Sequence, residues 1–538
     1  MEEQKKRLQN FGVEFADKLN IIKPLARIYD LTFNIDKIPD IEKEIREYSN
    51  TGEKRGEVLI PLVMGRNDFG TYLDVILAHA FRVRGYEPTL LLCDHDLDMC
   101  LAKQWMSSES AACEICNFMG GEFLRRFGLE YTPISEFETT TKTHTSSGDT
   151  YRGVDIDGIA TASTRAYLKI YNLDKHPKSE EIYNRFKKSA KLLTDIAFEL
   201  FQRHNYDAVL SNNSAYLVGA VFLSVGNQFD TPSWDIDVGF RSQSILCGNM
   251  NNRSSLPTFP NRDSASERLN RPLSDEESST LEKFMQDRMS GKDVRFNHAQ
   301  LGSGSFQSSS DSTVYGAFTN LPWDGSLTAT KKKAFNNVFT WVDRTIEIFK
   351  ENPQLKLYIK THPAEVLRVT NESFYEWITS NYSLPENIEL MSPDTGINPY
   401  EFMRKLDRGL VWNSTTGLEM SYLGIPVIVS GDTHYKGYGF TFDPVDDDEY
   451  KQLLLKSNLD ISAKKHELAK RYAHYLFIER HIKFPYYETV DGDFRPIAPT
   501  HSQLIPGNED IDLLIEAIVK NKPIPDVKDT ISPNSPTP

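Results

Sequence analysis

The stretch GEVLIPLVMGRNDFG, residues 56–70, limits the fold more than any other part of the chain. Its apolar run reads as a strand buried on both faces, and it stops abruptly in a polar loop. TYLDVILAHAFRVRG (Thr71 to Gly85) follows with helical spacing and a glycine stop, and EPTLLLCD is a second strand. Strand, helix and strand in this order imply a crossover between parallel strands, and so an α/β sheet. The pattern continues with an amphipathic helix carrying Ile182, Phe186, Leu193, Ile196 and Leu200 on one side. YDAVLSNN then reads as a strand and SAYLVGAVFLSVGNQF as a helix. Residues 1–50 read as charged and helical.

Residues 251–312 break the pattern with Ser, Asn, Arg and Pro. One helix is marked there by a capping box, Ser274 with Glu277, and by Gly291 at its end. A second α/β series begins at TVYGAFTNLPWD. KKKAFNNVFTWVDRTIEIFKENP is a helix with Phe335, Val338, Phe339, Val342, Ile346 and Phe349 as its stripe. QLKLYIK, RGLVW and GIPVIVSG read as strands, and AKKHELAKRYAHYLFIERHIKFPYY (463–487) as one long helix. The expected division is a Rossmann-like acceptor domain with a helical extension at 1–312 and a Rossmann-like donor domain at 313–490. A segment packing back follows at 491–524, then a disordered tail at 525–538. The fold class is therefore α/β and GT-B-like: two Rossmann-like domains with the active site in the interdomain cleft.

The net charge of −15 over 538 residues argues against nonspecific nucleic-acid binding. No apolar run marks the N-terminus as a signal peptide, and none reaches the roughly 18–20 residues that span a bilayer. The expected location is the cytoplasm, with peripheral contact at the inner face of the membrane or with an assembly complex. Of five cysteines, Cys93, Cys100, Cys113 and Cys116 cluster and end in a CxxC. A zinc knot is one reading and reduced thiols beside a buried strand the other, since the spacing fits no common finger.

Four polar motifs follow strands of the second series: Asn320-Leu321-Pro322-Trp323-Asp324, Thr361-His362-Pro363-Ala364-Glu365, Asn413-Ser414-Thr415-Thr416-Gly417 with Glu419, and Thr433-His434-Tyr435-Lys436-Gly437. In a parallel sheet all face one edge, where open α/β sheets bind ligands. Hydroxyl groups before a helix most often only cap it. Together with an imidazole at His362 and a carboxylate at Glu419, they describe a site for a nucleotide leaving group: phosphate on the hydroxyls, ribose on the acid. Trp323 reads equally well as a core residue.

These motifs, TNLPWD, LKLYIKTHPAE, VWNSTTGLEMSYLGIPVIVSG and HYKGYGFTFD, resemble the capsule polysaccharide biosynthesis group of GT-B glycosyltransferases over roughly residues 315–485. The resemblance implies that His362 and Ser414–Thr416 hold the donor phosphate. Pro363, Glu365, Asn413, Gly417, Glu419, His434 and Tyr435 complete the expected donor site. It does not specify the nucleotide. The implied function is inverting transfer of a sugar from a nucleotide-sugar donor to a glycan or lipid-linked acceptor. No cofactor is expected, and no metal, because no DxD motif stands at a donor strand end. The expected base is Asp68, just after the first strand, with Asp235, Asp237, Asp94 and His95 as rivals. Arg66 reads either as an anion contact or as a solvated charge. Alternatives are a polyol-phosphate transferase or an epimerase on the same fold, and a non-catalytic scaffold in capsule assembly.

Overall fold

The two apolar series become two separate sheets, one mainly and one wholly parallel, in the computed structural model, which describes residues 54–66, 68–137, 149–250, 256–292, 304, 306, 312–327, 334–367, 370–490 and 493–531. The helix expected over residues 1–50 lies outside the described residues. The chain divides into one unit drawn from Met1–Tyr167, Asp174–Pro257 and Ile482–Pro538, and another of Leu168–Leu173 and Thr258–His481. The division falls earlier than residue 312, and the C-terminal part rejoins the first unit from Ile482 rather than from 491. Each unit carries a central sheet of mainly parallel strands, as the Rossmann-like reading expects.

In the first unit the strands are β1 (Gly56–Val63), β2 (Tyr86–Leu92), β3 (Thr132–Pro133), β4 (Ala208–Ser211), β5 (Ser233–Val238) and β6 (Ser244–Asn249). They run in the order β6-β5-β4-β1-β2-β3, with the strand His481–Lys483 outside β6. All pairs from β5 to β3 are parallel, and β6 is antiparallel to β5. The order reverses between β1 and β4. Pro61 has no N–H to give the ladder, and the β1–β2 register slips between Ile60 and Val63. The chain then passes Gly65 and enters helix α1 (Asp68–Arg82). A Cβ at Gly65 would lie 2.1 Å from the Cys116 carbonyl oxygen, so only glycine lets this loop pack on helix α2 (Glu109–Arg126). Ile182, Phe186, Leu193, Ile196 and Leu200 are all buried on helix α3 (Ser179–Arg203), as their spacing predicts.

The second unit holds β7 (Val314–Phe318), β8 (Lys356–Lys360), β9 (Ile388–Met391), β10 (Arg408–Val411) and β11 (Val427–Val429), in the order β11-β10-β7-β8-β9. Every pair is parallel, and the order reverses between β7 and β10. The capping box on the helix Asp275–Met289 forms as predicted, with Gly291 just beyond its end at φ +77°. Tyr315, Ala317, Leu357, Ile359, Leu410 and Ile428 pack against helix α4 (Val338–Glu351). Of the predicted stripe, Val338, Val342, Ile346 and Phe349 are buried, while Phe335 lies before the helix, which starts late because Asn337 caps the Thr340 N–H.

Two sequence expectations fail here. The helix predicted over 463–487 ends at His474, passes through a π turn at Tyr475–Glu479 and becomes the strand His481–Lys483. Ile482, Phe484, Tyr486 and Tyr487 go into the first unit's core, a better use of this aromatic run than an exposed helix face. The tail read as disordered from 525 instead carries the helix Ile524–Ile531, whose Ile524 and Val527 are buried; residues 532–538 lie outside the described residues. Among the described residues no helix is long and apolar enough to cross a membrane.

Behind the second sheet, Trp341 Nε1 donates to the Tyr450 hydroxyl at 3.0 Å, and Thr345 Oγ1 lies 2.7 Å from the same oxygen. All three residues are buried. Tyr450→Phe leaves the indole N–H without an acceptor and is expected to lower unfolding stability by about 1–3 kcal/mol, read from the urea midpoint at unchanged slope.

Candidate functional site

At the carboxyl edge of the second sheet each strand passes directly into polar residues. After β10 come Trp412, Asn413, Ser414 and Thr415, then the short helix α5 (Thr416–Tyr422). Thr415 occupies the cap position in a helical conformation and makes no side-chain cap bond. Instead Ser414 Oγ accepts the Thr416 N–H at 3.3 Å and donates to Thr416 Oγ1 at 3.0 Å. Ser414 is thereby used up internally, and Thr416 keeps a hydroxyl proton to give. Both side chains are half-buried, as are Asn413 and Thr415.

The loop is held from behind. The Tyr435 hydroxyl donates to the Ser414 carbonyl at 2.5 Å, and Tyr435 is fully buried. A Cβ at Gly417 would lie 2.1 Å from that hydroxyl, so residue 417 must be small for the contact to form. His434, a predicted donor ligand, is buried too. Its ring stacks on Tyr472 with centroids 5.9 Å apart, and Tyr472 donates to the His434 carbonyl at 2.6 Å while His434 Nδ1 lies 3.1 Å from the same hydroxyl. Burial, reinforced by Arg480, pushes the imidazole down to about 3, so it is neutral. His434 and Tyr435 form a scaffold behind the loop.

Glu419 is buried on α5, and its Oε1 accepts Arg288 Nε at 2.7 Å and the Tyr400 hydroxyl at 3.2 Å. The acid expected to meet ribose is therefore committed to an ion pair. Glu365 is committed as well: Oε2 accepts Ser373 Oγ at 2.6 Å and the Tyr375 N–H at 3.3 Å, and burial pushes its carboxyl above the usual range. His362 follows β8 and is half-buried; its Nδ1 accepts the Ala364 N–H at 3.1 Å, so the neutral ring carries its proton on Nε2. Pro363 opens the short helix Ala364–Leu367, where no N–H is needed. Trp323 is a core residue, donating to Thr370 Oγ1 at 3.3 Å and packed with Leu321 and Ala364.

Three further groups at this edge lie within the quoted motif segments but were given no role in the sequence reading. Thr319, Trp412 and Ser430 each follow the last residue of adjoining strands, in the register that pairs Val411 with Phe318 and with Val429. Thr319 Oγ1, Trp412 Nε1 and Ser430 Oγ are buried without a hydrogen-bond partner. A polar residue immediately after an apolar parallel strand is the signal that would have found them. Their row crosses the point where the strand order reverses, the place ligands occupy in open α/β sheets.

In the first unit Asp68 is the first residue of α1, after the turn through Gly65. Arg66 lies over the Trp105 ring at 5.6 Å, and its N–H reaches Cys116 Sγ at 3.3 Å. Asp235 is fully buried and accepts the Ser214 N–H at 3.1 Å as well as its hydroxyl; burial pushes it up to about 8. Asp237 accepts the Val238 N–H at 2.7 Å, Asp94 the Ser135 N–H at 3.1 Å, and His95 lies 3.9 Å from Glu114. Sequence reasoning missed Asp74, a buried carboxyl that accepts Asn212 Nδ2 at 3.0 Å and is likewise raised by burial to about 8.

The four clustered cysteines are free thiols. A tetrahedral zinc–thiolate site, with Zn–S near 2.3 Å, brings sulfurs to about 3.8 Å from one another. Among the described residues only Glu277, His474 and Glu479 gather their ligand atoms within 4.8 Å. That group is an ion-pair network, because Arg271 holds Glu277 at 2.6 and 2.8 Å and Arg268 lies 3.5 Å from Glu479.

Gly417→Ala is expected to destabilise the protein by about 1–3 kcal/mol, the usual cost of overpacking, and to cost clearly less in a Tyr435→Phe background, where the clashing oxygen is gone. A double-mutant cycle by urea unfolding reads this; equal costs in both backgrounds refute the contact.

Residues 330–487 match the family model described as "Capsule polysaccharide biosynthesis protein". No curated protein sequence matches the chain. Among solved structures, the chain is similar to the beta Kdo 2,4 transferase KpsC of Thermosulfurimonas dismutans, at 14% identity over 60% of this chain and 94% of that one, TM-score 0.34. It is also similar to the S. aureus MnaA–UDP co-structure, at 10% identity over 86% and 95%, TM-score 0.28, and to the spinosyn rhamnosyltransferase SpnG, at 13% over 78% and 96%, TM-score 0.26. His362, the Asn413–Glu419 motif and His434 all lie within the segment that matches this family model.

Proposed function

We propose that the chain is an inverting, metal-independent glycosyltransferase that moves a sugar from a nucleotide donor to a glycan or lipid-linked acceptor in surface polysaccharide synthesis. The observation that supports this most is the internally bonded Ser414–Thr416 pair at a sheet edge within the segment that matches the capsule family. Ser414 spends its hydroxyl on Thr416 and thereby presents the Thr416 proton.

In this reading the acceptor oxygen bonds to the anomeric carbon from the side opposite the nucleotide. The bond from that carbon to the phosphate oxygen breaks, and the phosphate keeps the electron pair. Thr416 Oγ and His362 Nε2 donate to the phosphate as its charge grows, and groups already oriented for this need no reorganisation at the moment of reaction. A carboxylate takes the acceptor proton. Asp68 is the proposed base. Asp235 is pushed up to about 8 by burial, which favours its protonated form at neutral pH and makes it the less suited base.

Thr416→Val and His362→Ala should each slow transfer on the order of 10²- to 10³-fold while the protein stays folded. Ser414→Ala acts only through the lost orientation of Thr416 and should cost less. Chelation should leave transfer intact. Unchanged turnover in Thr416→Val, with an authenticated donor, removes the phosphate assignment.

Asp68→Asn should abolish most transfer and leave nucleotide affinity nearly unchanged, by calorimetry and rate on one preparation. Asp235→Asn should leave transfer near wild type. The reverse pattern moves the base to Asp235.

A further inference from the structure

Lys360 is the last residue of β8, immediately before Thr361 and His362, and it is only 7% exposed. It sits in register with Phe318 on β7 and Met391 on β9, so apolar neighbours flank it on both strands. Leu357 and Ile359 face the α4 core, so strand alternation puts Tyr358 and Lys360 on the other face, where Tyr358 packs against Phe402 with ring centroids 5.9 Å apart. Gly409 and Val411 of β10 turn to that same face and meet α5: a Cβ on Gly409 would touch Met420, and one on Gly417 would touch Val411.

Among the described residues no hydrogen bond or ion pair to the Lys360 ammonium is found, and no charged neighbour offsets its burial, which lowers its affinity for a proton. An ammonium in such a place is unfavourable unless an anion joins it. Other cations of this unit are matched: the half-buried Arg288 by Glu419, the buried Arg408 by the Tyr315 hydroxyl and the Ser457 carbonyl. Lys360 differs from them in standing at the carboxyl edge, next to the histidine assigned to the phosphate.

We propose that Lys360 supplies the fixed positive charge for the phosphate of the donor nucleotide, entering from the β8 side of the edge beside His362. The assignment rests on the nucleotide reading above and adds a residue to it. It also bears on the absence of a metal from that reading, since an ammonium there neutralises the charge that accumulates on the leaving phosphate.

The test is calorimetry on the full chain and on Lys360→Met and Lys360→Arg, with nucleoside mono- and diphosphates, the matching nucleosides and inorganic pyrophosphate. Lys360→Met should weaken every phosphorylated ligand by about ten- to hundredfold, as expected for a charged hydrogen bond, and leave nucleoside affinity unchanged. Lys360→Arg should recover part of the loss. The Met variant should melt no lower than wild type, because no native partner is lost. Equal affinity of wild type and Lys360→Met for phosphorylated ligands overturns the proposal. Should wild type bind pyrophosphate through Lys360 but none of the nucleotides, the anion role stands and the nucleotide reading falls. Should it bind neither, both fall. If Lys360→Met fails to fold, Lys360→Gln makes the same comparison.

Discussion

A buried phenol reaching the carbonyl of Ser414, through space that a side chain at residue 417 would fill, sets the shape of the candidate site. Tyr435 pins the start of the loop and leaves the Ser414 hydroxyl to bond Thr416. Tyr435 in turn lies at the edge of the His434 ring, which stacks on Tyr472. The loop thus rests on three buried rings, and rigid support of this kind lets one hydroxyl proton be aimed without further ordering when a ligand arrives.

The same edge holds polar groups that folding alone does not reward. Thr319 Oγ1, Trp412 Nε1 and Ser430 Oγ are buried and unpartnered, at a cost of about 1–3 kcal/mol each in a protein class whose net stability is about 5–15 kcal/mol. Lys360 adds a buried charge. Ordered water can satisfy the hydroxyls, but water does not neutralise an ammonium. An acceptor-rich, anionic ligand satisfies both kinds of group. Thr319, Trp412 and Ser430 follow β7, β10 and β11, across the point where the strand order reverses, and Lys360 ends the neighbouring β8. By contrast, Glu419, the acid expected to meet ribose, is tied to Arg288, and Glu365, also expected at the donor site, is tied to Ser373.

The α/β class and the parallel strands of both sheets were readable because those strands are buried on both faces and so appear as unbroken apolar runs. The motifs at strand ends were readable as positions. Their roles were not, because sequence does not say which way a side chain turns after a strand: His434 and Tyr435 turn inward and Thr416 does not. Thr319, Trp412 and Ser430 were passed over because each stands at the margin of a motif whose centre drew the reading. The division of the chain was misplaced because Ile482, Phe484 and Tyr486 read equally well as a helix face or as strand residues of the other unit. Asp74 was missed because a lone acid on a helix gives no sign of burial until Asn212 is found beside it.

Hydrogen exchange of the full chain with and without a tightly binding nucleotide tests directly whether the carboxyl edge of the second sheet is the donor site. The account predicts slowed exchange confined to the segments after β7, β8, β10 and β11, around residues 319–323, 361–365, 412–417 and 430–436. Protection centred instead on the first unit's strand ends, around Arg66 and Asn212, with these four segments unchanged, would contradict it.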